Sequence, residues 1–202
     1  MSNRLRHKGV EAQRHRGLLF IFSSASGGGK TTIARKVVQK DPRFVLSVSY
    51  TTRSPRGEEK EGKDYFFVSD DIFEQMIKEN RFLEWEKVHD AFYGTSRDFV
   101  EKKLSCGKNV VLVIDVKGAK HVKEKCPDSI SIFFVAPSIE ELKQRLENRG
   151  TETEEEIQKR IEIATWEEKQ AENYDYHVVN DKLEDAVDRV SLIINTELKN
   201  FK

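Results

Sequence analysis

The feature that most constrains the fold is a glycine-rich turn directly behind a short apolar run. Residues 17–22 read GLLFIF, and residues 23–32 read SSASGGGKTT. A strand, a glycine-rich turn and a helix in this order direct several backbone N–H groups and a helix N-terminus toward one point, which suits a polyphosphate. The segment therefore predicts a phosphate-binding loop between a buried strand and a helix.

Different residues in this turn could each make a different contact with a nucleoside triphosphate. The glycines let the backbone approach the phosphates, Lys30 can follow the β and γ phosphates, and the Thr31 hydroxyl can ligate magnesium. Ser24 replaces the first glycine of G-x-x-x-x-G-K-[ST], where a small residue with no need for positive φ can serve. The alternative is a plain glycine turn with a solvated lysine. The predicted loop residues are Ser26, Gly27, Gly28, Gly29, Lys30, Thr31 and Thr32, with Thr31 as the metal ligand.

Composition excludes several other classes of protein. The 35 basic and 35 acidic residues cancel, so no long-range field favours nucleic acid or an anionic membrane as a partner. No segment approaches the roughly 20 apolar residues that a membrane span needs. Cys106 and Cys126 have no metal-ligand spacing and suit free thiols in a reducing compartment. We expect a cytoplasmic protein with small-molecule substrates and leave self-association open.

The first 16 residues form a basic segment that imitates a targeting sequence. The apolar run behind it is shorter than the usual core of a signal peptide, and cleavage there would remove the strand that supports the loop. We therefore interpret residues 1–16 as a mobile basic arm. An organelle transit peptide is the alternative.

Short apolar runs alternate with helical patterns along the rest of the chain. This pattern predicts an α/β fold with a parallel sheet covered on both faces. The stretch 50–107 interrupts the alternation with turns and short aromatic strands, and is predicted to be an insertion. Thr153 and Glu156 form a capping box, and Gly150 ends the preceding helix. The predicted strands are Leu18–Phe22, Phe44–Val48, Val110–Ile114, Ile130–Val135 and His177–Val179. The predicted helices are Thr31–Gln39, Asp71–Asn80, Ser96–Ser105, Ile139–Asn148, Glu154–Ala171 and Leu183–Leu198.

Arginines and tyrosines in the inserted stretch suggest a second anion site. Arg53, Arg56 and Tyr65 surround a proline turn, and Tyr93 follows in a later segment. Two arginines and two tyrosines can hold a monophosphate by bidentate and hydroxyl hydrogen bonds. Ordinary solvated surface residues are the alternative.

These motifs together resemble one known family. The order of SGGGKT, SVSYTTRSPRGEE, GKDYFF, FLEW, YGTS, VIDVKG and RLENRGTET is similar to that of guanylate kinases, which phosphorylate GMP with ATP. The resemblance runs from about residue 17 to the last predicted helix. It implies a core of 17–49, 108–137 and 175–202, a GMP-binding insertion at 50–107 and a helical lid at 138–174.

The resemblance also implies roles for the residues that match. The GMP phosphate would be bound by Arg53, Arg56, Tyr65 and Tyr93, with Glu59 bracing the arginines. The guanine would be read by Ser49, Glu84, Thr95 and Asp115.

The chemistry of guanine supports the role of Glu84. A carboxylate can accept hydrogen bonds from both N1–H and the exocyclic amine, whereas the N1 lone pair of adenine would repel it. Ser49 could donate to O6. The alternative for Glu84 is a strand carboxylate that faces water.

The lid would supply further arginines. By resemblance, Arg145 lies near the adenine, and Arg149 and Arg160 lie near the phosphates, where they would neutralise charge on the moving phosphoryl group. The predicted catalytic residues are thus Lys30, Arg149 and Arg160. An ion pair with Glu156 is the alternative for Arg160. Asn180 would sit by the adenine edge, although Asn-Asp is also a common turn.

The predicted reaction is ATP + GMP to ADP + GDP with Mg²⁺, in which dGMP is a further expected acceptor. Asp115 ends a strand, where it can reach the magnesium shell or the acceptor nucleotide. Val113 stands where many family members carry a second acid, which leaves open how the water ligands of the metal are held. Two other classes also stay open: a non-catalytic module that binds a phosphorylated partner, and a kinase for another small molecule such as a ribose bisphosphate.

Overall fold

The structure is a computed structural model that describes residues 16–25, 28–88, 90–148 and 153–201, without the side chain of Glu156. The predicted arm therefore lies outside the described residues, apart from Arg16. The strands are β1 Leu19–Ser24, β2 Phe44–Leu46, β3 Tyr50–Thr51, β4 Phe66–Phe67, β5 Phe82–Val88, β6 Ala91–Ser96, β7 Asn109–Val113, β8 Ile130–Val135 and β9 Tyr176–Val179. The helices are α1 Lys30–Lys40, α2 Asp70–Lys78, α3 Arg97–Ser105, α4 Val116–Lys125, α5 Ile139–Glu147, α6 Glu154–Lys169 and α7 Leu183–Asn200.

A parallel five-stranded sheet, the main sheet, forms the centre of the molecule. Its strand order is β2-β7-β1-β8-β9, and each neighbouring pair is parallel. The central strand β1 pairs Phe20 with Val111 on one side and with Ile130 on the other. The predicted α/β fold with a parallel sheet is confirmed.

The side chains of successive residues in β1 pack on opposite faces of the main sheet. Phe20 and Phe22 pack in a cluster with α1 and α7, whereas Leu19 and Ile21 pack in a cluster with α3 and α4. Because successive side chains of a strand point to opposite faces, an uninterrupted apolar run suits a strand covered on both sides. The carboxyl end of β1 is therefore held at the middle of the sheet, where α/β folds bind their ligands.

A second, mixed sheet carries its own small core. Its order is β4-β3-β6-β5, in which β5 and β6 form an antiparallel hairpin. On α2, Phe73 stacks on Phe82 with ring centroids 4.4 Å apart. Gly94 of β6 lies under both rings, since a Cβ there would come within 2.8 Å of Phe82 and 2.9 Å of Phe73. The second sheet therefore comes from the predicted insertion, and α3, at the end of that insertion, packs on the main sheet.

The helix α4 is missing from the predicted elements, so that prediction was incomplete. Its buried positions include the small residues Gly118 and Ala119, and lysines occupy much of the rest, so its apolar periodicity is weak. The helix begins because the Asp115 side chain accepts a hydrogen bond from Gly118 N at 2.8 Å, which is N-terminal capping.

The remaining predicted elements agree with the structure within a few residues. The helix predicted for Glu154–Ala171 ends at Lys169, two residues earlier, and a short 3₁₀ helix, Ala171–Asn173, follows it. Gly150 and the Glu156 side chain of the predicted capping box lie outside the described residues. Cys106 and Cys126 are free cysteines, as predicted. Within the described ranges, none of the helices has the length and apolar character to cross a lipid bilayer.

Candidate active site

The phosphate loop joins the buried end of β1 to the first turn of α1. Gly29, which precedes the helix, has φ 83°, a left-handed conformation that glycine adopts without strain. Lys30 and Thr31 follow in the first turn of the helix. Ser26 and Gly27 lie outside the described residues. The backbone thus has the strand, turn and helix order that a phosphate site requires.

The structure accounts for Ser24 at the first position of the loop motif. The Ser24 hydroxyl donates to Ala25 O at 2.7 Å, and a Cβ on Gly28 would lie 2.7 Å from Ser24 Cβ. Among the described non-glycine residues, Asn80 is the one with a positive φ. Ser24 therefore needs no glycine-like conformation, as expected, and it packs under Gly28.

Asn180 and Arg145 connect α5, in the predicted lid, to this loop. The buried Asn180 side chain donates from Nδ2 to Gly28 O at 2.8 Å. Arg145 donates to Asn180 O at 2.9 Å and to Glu141 Oε1 at 3.0 Å. In this conformation Asn180 therefore supports the phosphate loop, and adenine contacts of both residues stay predictions. The sequence gives no signal for the link to Gly28, because the two residues are 152 positions apart.

One cavity brings predicted donor and acceptor residues together. It has a volume of about 240 Å³ and lies between the phosphate loop, the second sheet and the end of β7. Its lining includes eight predicted site residues: Lys30, Ser49, Arg56, Tyr65, Glu84, Tyr93, Asp115 and Arg160. We call it the acceptor cavity.

Beside the acceptor cavity, Arg53 is held in a network of ionic and aromatic contacts. Its guanidinium donates to both oxygens of Glu59, at 2.6 and 2.7 Å, and to Tyr93 Oη at 3.0 Å. It also lies 4.8 Å from the centroid of the Tyr65 ring. The pKa of Glu59 is lowered, chiefly by hydrogen bonds from Arg53, so this pair stays ionised. Glu59 also accepts from Arg56 N at 2.8 Å, so one carboxylate organises the segment that carries both arginines.

Glu84 is the buried carboxyl group of the acceptor cavity. It is 4% exposed, and its Oε1 accepts a hydrogen bond from Thr95 Oγ1 at 2.5 Å. Burial raises the pKa of Glu84 to about 7, opposed by the Thr95 hydrogen bond; the charges of Asp115 and Glu86 raise it further, while Lys125 lowers it. A ligand that brings two hydrogen-bond donors to a buried carboxyl group stabilises its ionised form.

Gly118 is a further site residue that sequence reasoning missed. A Cβ at this position would lie 2.8 Å from Glu84 Oε2 and 3.5 Å from Asp115 Oδ1. Glycine in the first turn of α4 therefore makes room for the buried carboxylate. A glycine within a helix costs about 1 kcal/mol relative to alanine, so its presence in VIDVKG is a signal that could have marked the position.

The helix α6, in the predicted lid, brings Arg160 to the candidate site. Arg160, on α6, lines the acceptor cavity and an adjoining cavity of about 470 Å³, both of which also contain Lys30 and Asp115. Arg149, the other predicted lid arginine near the phosphates, lies outside the described residues. A larger cavity of about 560 Å³ between α4 and α6 contains Glu86 but none of the predicted site residues. The acceptor cavity is the candidate site because the predicted charged residues converge there.

The residues around Thr31 suit a hard cation that is held mainly by other ligands. Thr31 lines a cavity of about 310 Å³ together with Ser47 and Val113. Ser47 Oγ is buried without a hydrogen-bond partner, whereas Val113 supplies no oxygen. The described residues contain no group of three His, Cys, Asp or Glu side chains that could hold a metal. Mg²⁺ commonly takes few protein ligands beside phosphates and water, so these hydroxyls fit it as a nucleotide complex.

Comparisons with known proteins point in the same direction as this geometry. A family model described as Guanylate kinase matches residues 16–197. The chain is 47% identical over 184 residues to the guanylate kinase of Caldanaerobacter subterraneus subsp. tengcongensis, covering 91% of this chain and 89% of that protein. It is 43% identical over 182 residues to the guanylate kinase of Clostridioides difficile, covering 90% and 89%.

A solved structure shares the fold. The crystal structure of guanylate kinase from Anaplasma phagocytophilum superposes with a TM-score of 0.76 at 34% identity, covering 91% of this chain and 87% of that one. The match of the family model over most of the chain and the high identity to curated relatives agree with the resemblance found in the motifs. The chain belongs to the guanylate kinase family.

Proposed function

We propose that this protein transfers the γ-phosphoryl group of ATP to GMP and releases ADP and GDP. The observation that carries this proposal is that Lys30 of the phosphate loop and the buried Glu84 line the same cavity, the acceptor cavity. A lysine at the end of a phosphate loop serves the donor, and a buried carboxylate serves a base with two adjacent donors. Together they account for both substrates.

The acceptor residues hold GMP by its two ends. Arg53, Arg56, Tyr65 and Tyr93 bind its phosphate, while Ser49, Glu84, Thr95 and Asp115 recognise its base. Glu59 fixes Arg53 through two short hydrogen bonds, so the arginine is oriented before the substrate arrives. This preorganisation lowers the cost of aligning the attacking phosphate oxygen with the γ-phosphorus. The acceptor oxygen is already ionised, so no general base is required.

The donor residues bind the triphosphate and neutralise charge. Lys30 contacts the β and γ phosphates, and Arg149 and Arg160 approach them as the lid, residues 138–174, closes over ATP. Closure also excludes water, which would otherwise hydrolyse ATP. Mg²⁺ would be held by Thr31 together with phosphate oxygens and water, and when bound it neutralises charge on the transferring phosphoryl group.

The test is ADP release by the purified protein with ATP and magnesium, measured in turn with GMP, dGMP, AMP, CMP, UMP and TMP. We expect turnover with GMP and dGMP only. Turnover with another monophosphate would contradict the role of Glu84, and turnover with none would favour a non-catalytic module or a kinase for a different acceptor.

The setting of the enzyme is part of the same proposal. Two free thiols, one of them exposed, suit a reducing cytoplasm, where the enzyme would serve purine nucleotide metabolism. Fractionation of cells followed by detection of the protein checks this placement, and recovery with the membrane fraction would contradict it.

A further inference from the structure

An ion pair joins the helix behind the phosphate loop to the segment that presents the acceptor residues. The Arg35 guanidinium, on α1, contacts the Asp64 carboxylate, in the turn that precedes β4. Arg35 follows Thr31 by one helical turn, which places both on one face of α1. Both line the cavity of about 310 Å³, together with Glu59 and Tyr65.

Asp64 also determines the shape of its own turn. Its second oxygen accepts a hydrogen bond from Lys60 N at 2.8 Å, and Asp64 N donates to Lys60 O at 3.0 Å. The Asp64 side chain is only 16% exposed, and its pKa is lowered by the Lys60 hydrogen bond and by Arg35. Tyr65 comes next in the chain and packs against Arg53. Any movement of this turn therefore moves residues that bind the acceptor phosphate.

We propose that Arg35 is a positioning residue for phosphoryl transfer, which acts through Asp64 to hold the acceptor residues at a set distance from the phosphate loop. This inference rests on the proposed function. Lys30 follows β1 of the main sheet, whereas Glu84 and Tyr93 lie on strands of the second sheet, and in-line transfer is sensitive to displacements of about 1 Å. The ion pair crosses from α1, which begins at Lys30, to the turn that ends at Tyr65.

The informative substitution is Arg35→Gln. Glutamine keeps the helix propensity of the position and leaves the Lys60 hydrogen bonds to Asp64 in place. Because the pair is partly buried, we expect the KM for GMP to rise about fivefold, with a smaller fall in kcat and an unchanged KM for ATP. Arg35→Lys restores most of the affinity for GMP.

A double substitution tests whether Arg35 acts through Asp64. Asp64→Asn keeps an oxygen for Lys60 N but removes the charge, so it should shift the KM for GMP in the same direction. Arg35→Gln with Asp64→Asn should be no worse than the more affected single variant, because both changes remove one contact. Fully additive effects would overturn the proposed route through Asp64.

A matched control comes from the same helix. Lys40→Gln removes another ion pair of α1, with Asp188 at 3.2 Å, on the side that faces α7, and should leave both KM values unchanged. Melting temperatures are recorded for every variant. An Arg35→Gln protein with a lower melting temperature and an unchanged KM for GMP would make the pair a stability contact and overturn this inference alone. A wild-type protein that turns over no GMP would overturn the proposed function and this inference with it.

Discussion

The predicted donor and acceptor halves of the candidate site are built in different ways. The predicted donor half is centred on one continuous segment, in which β1, the phosphate loop and α1 follow each other within about twenty residues, and it is completed by Arg145, Arg160 and Asn180 from later elements. The acceptor half collects side chains from β5, β6, the segment before β4 and the end of β7. The phosphate loop depends mainly on backbone geometry and one lysine, whereas the acceptor half depends on contacts between different elements, such as Arg53 with Tyr93 and Glu84 with Thr95.

We expect this difference to separate catalytic power from specificity. Backbone N–H groups and a lysine can bind any triphosphate. A single continuous segment is therefore enough to supply these contacts. Recognition of one base needs a polar group that is unsatisfied when the wrong base binds. Such a group must be buried. Burial requires that elements from different parts of the chain pack around it. Substitutions in the two halves should therefore change different kinetic constants.

The largest effect is expected at Lys30. Lys30→Ala removes a positive charge that would stabilise the transferring phosphoryl group in the transition state. We therefore expect kcat to fall about 10³-fold. Circular dichroism should show the fold retained, and steady-state ADP release measures the loss. Lys40→Ala, at the other end of α1, is the control and should be fully active. Full activity of Lys30→Ala would remove the assignment of the phosphate loop.

A substitution of Glu84 should affect the acceptor alone. Glu84→Ala leaves two guanine donors without a charged acceptor, so kcat/KM for GMP should fall about 100-fold. The affinity for ATP, measured by titration calorimetry, should stay at the wild-type value. An unchanged rate with GMP would contradict the role of Glu84 in base recognition.

The pH dependence tests the same carboxyl group without a substitution. Burial holds the pKa of Glu84 at about 7 in the free protein, and under the proposed function guanine would bind its ionised form. The KM for GMP should therefore fall as pH rises, by about tenfold between pH 6 and pH 8, as the ionised fraction grows. The acceptor phosphate also ionises near pH 6, so Glu84→Gln is measured in parallel. A profile in which both proteins show the same slope would contradict titration of Glu84.

The smallest effect is expected at Asn180. Asn180→Ala removes the hydrogen bond to Gly28 O, which should loosen the phosphate loop and raise the KM for ATP about fivefold. The KM for GMP should not change, which contrasts with the result expected for Glu84. Asp181→Ala, at the exposed neighbouring position, is the control. A change confined to the KM for GMP would contradict the support of the loop by Asn180.

Much of the fold could be predicted because its signals are local. The apolar run of β1, the glycines behind it and the cap residues Ser96 and Ser138 each act within a few positions. The helix α4 escaped prediction for a physical reason: two of its buried positions are Gly118 and Ala119, whose small side chains leave little apolar signal. Tertiary contacts with β5 stabilise this helix in place of a strong pattern of its own.

The identities of the candidate site residues came from motifs, but their arrangement did not. Arg35 has no motif of its own, and its contact with Asp64 joins residues 29 positions apart. A glycine inside VIDVKG could have marked position 118, but its role depends on how closely Glu84 approaches the backbone of α4, which only the structure shows. Such contacts depend on where separate elements meet, which residue spacing does not report.

The sequence by itself determined the strand, loop and helix of the predicted phosphate site, the parallel sheet around them and the residue types expected of a guanine site. Tertiary structure alone decided that Glu84 is buried and carries a raised pKa, that Asn180 supports Gly28, and that Arg35 reaches Asp64. The physical reason is the distance along the chain over which each interaction acts. Helix capping, apolar periodicity and glycine turns are satisfied within one or two turns of chain, whereas desolvation and long-range ion pairs exist only after distant segments have packed together.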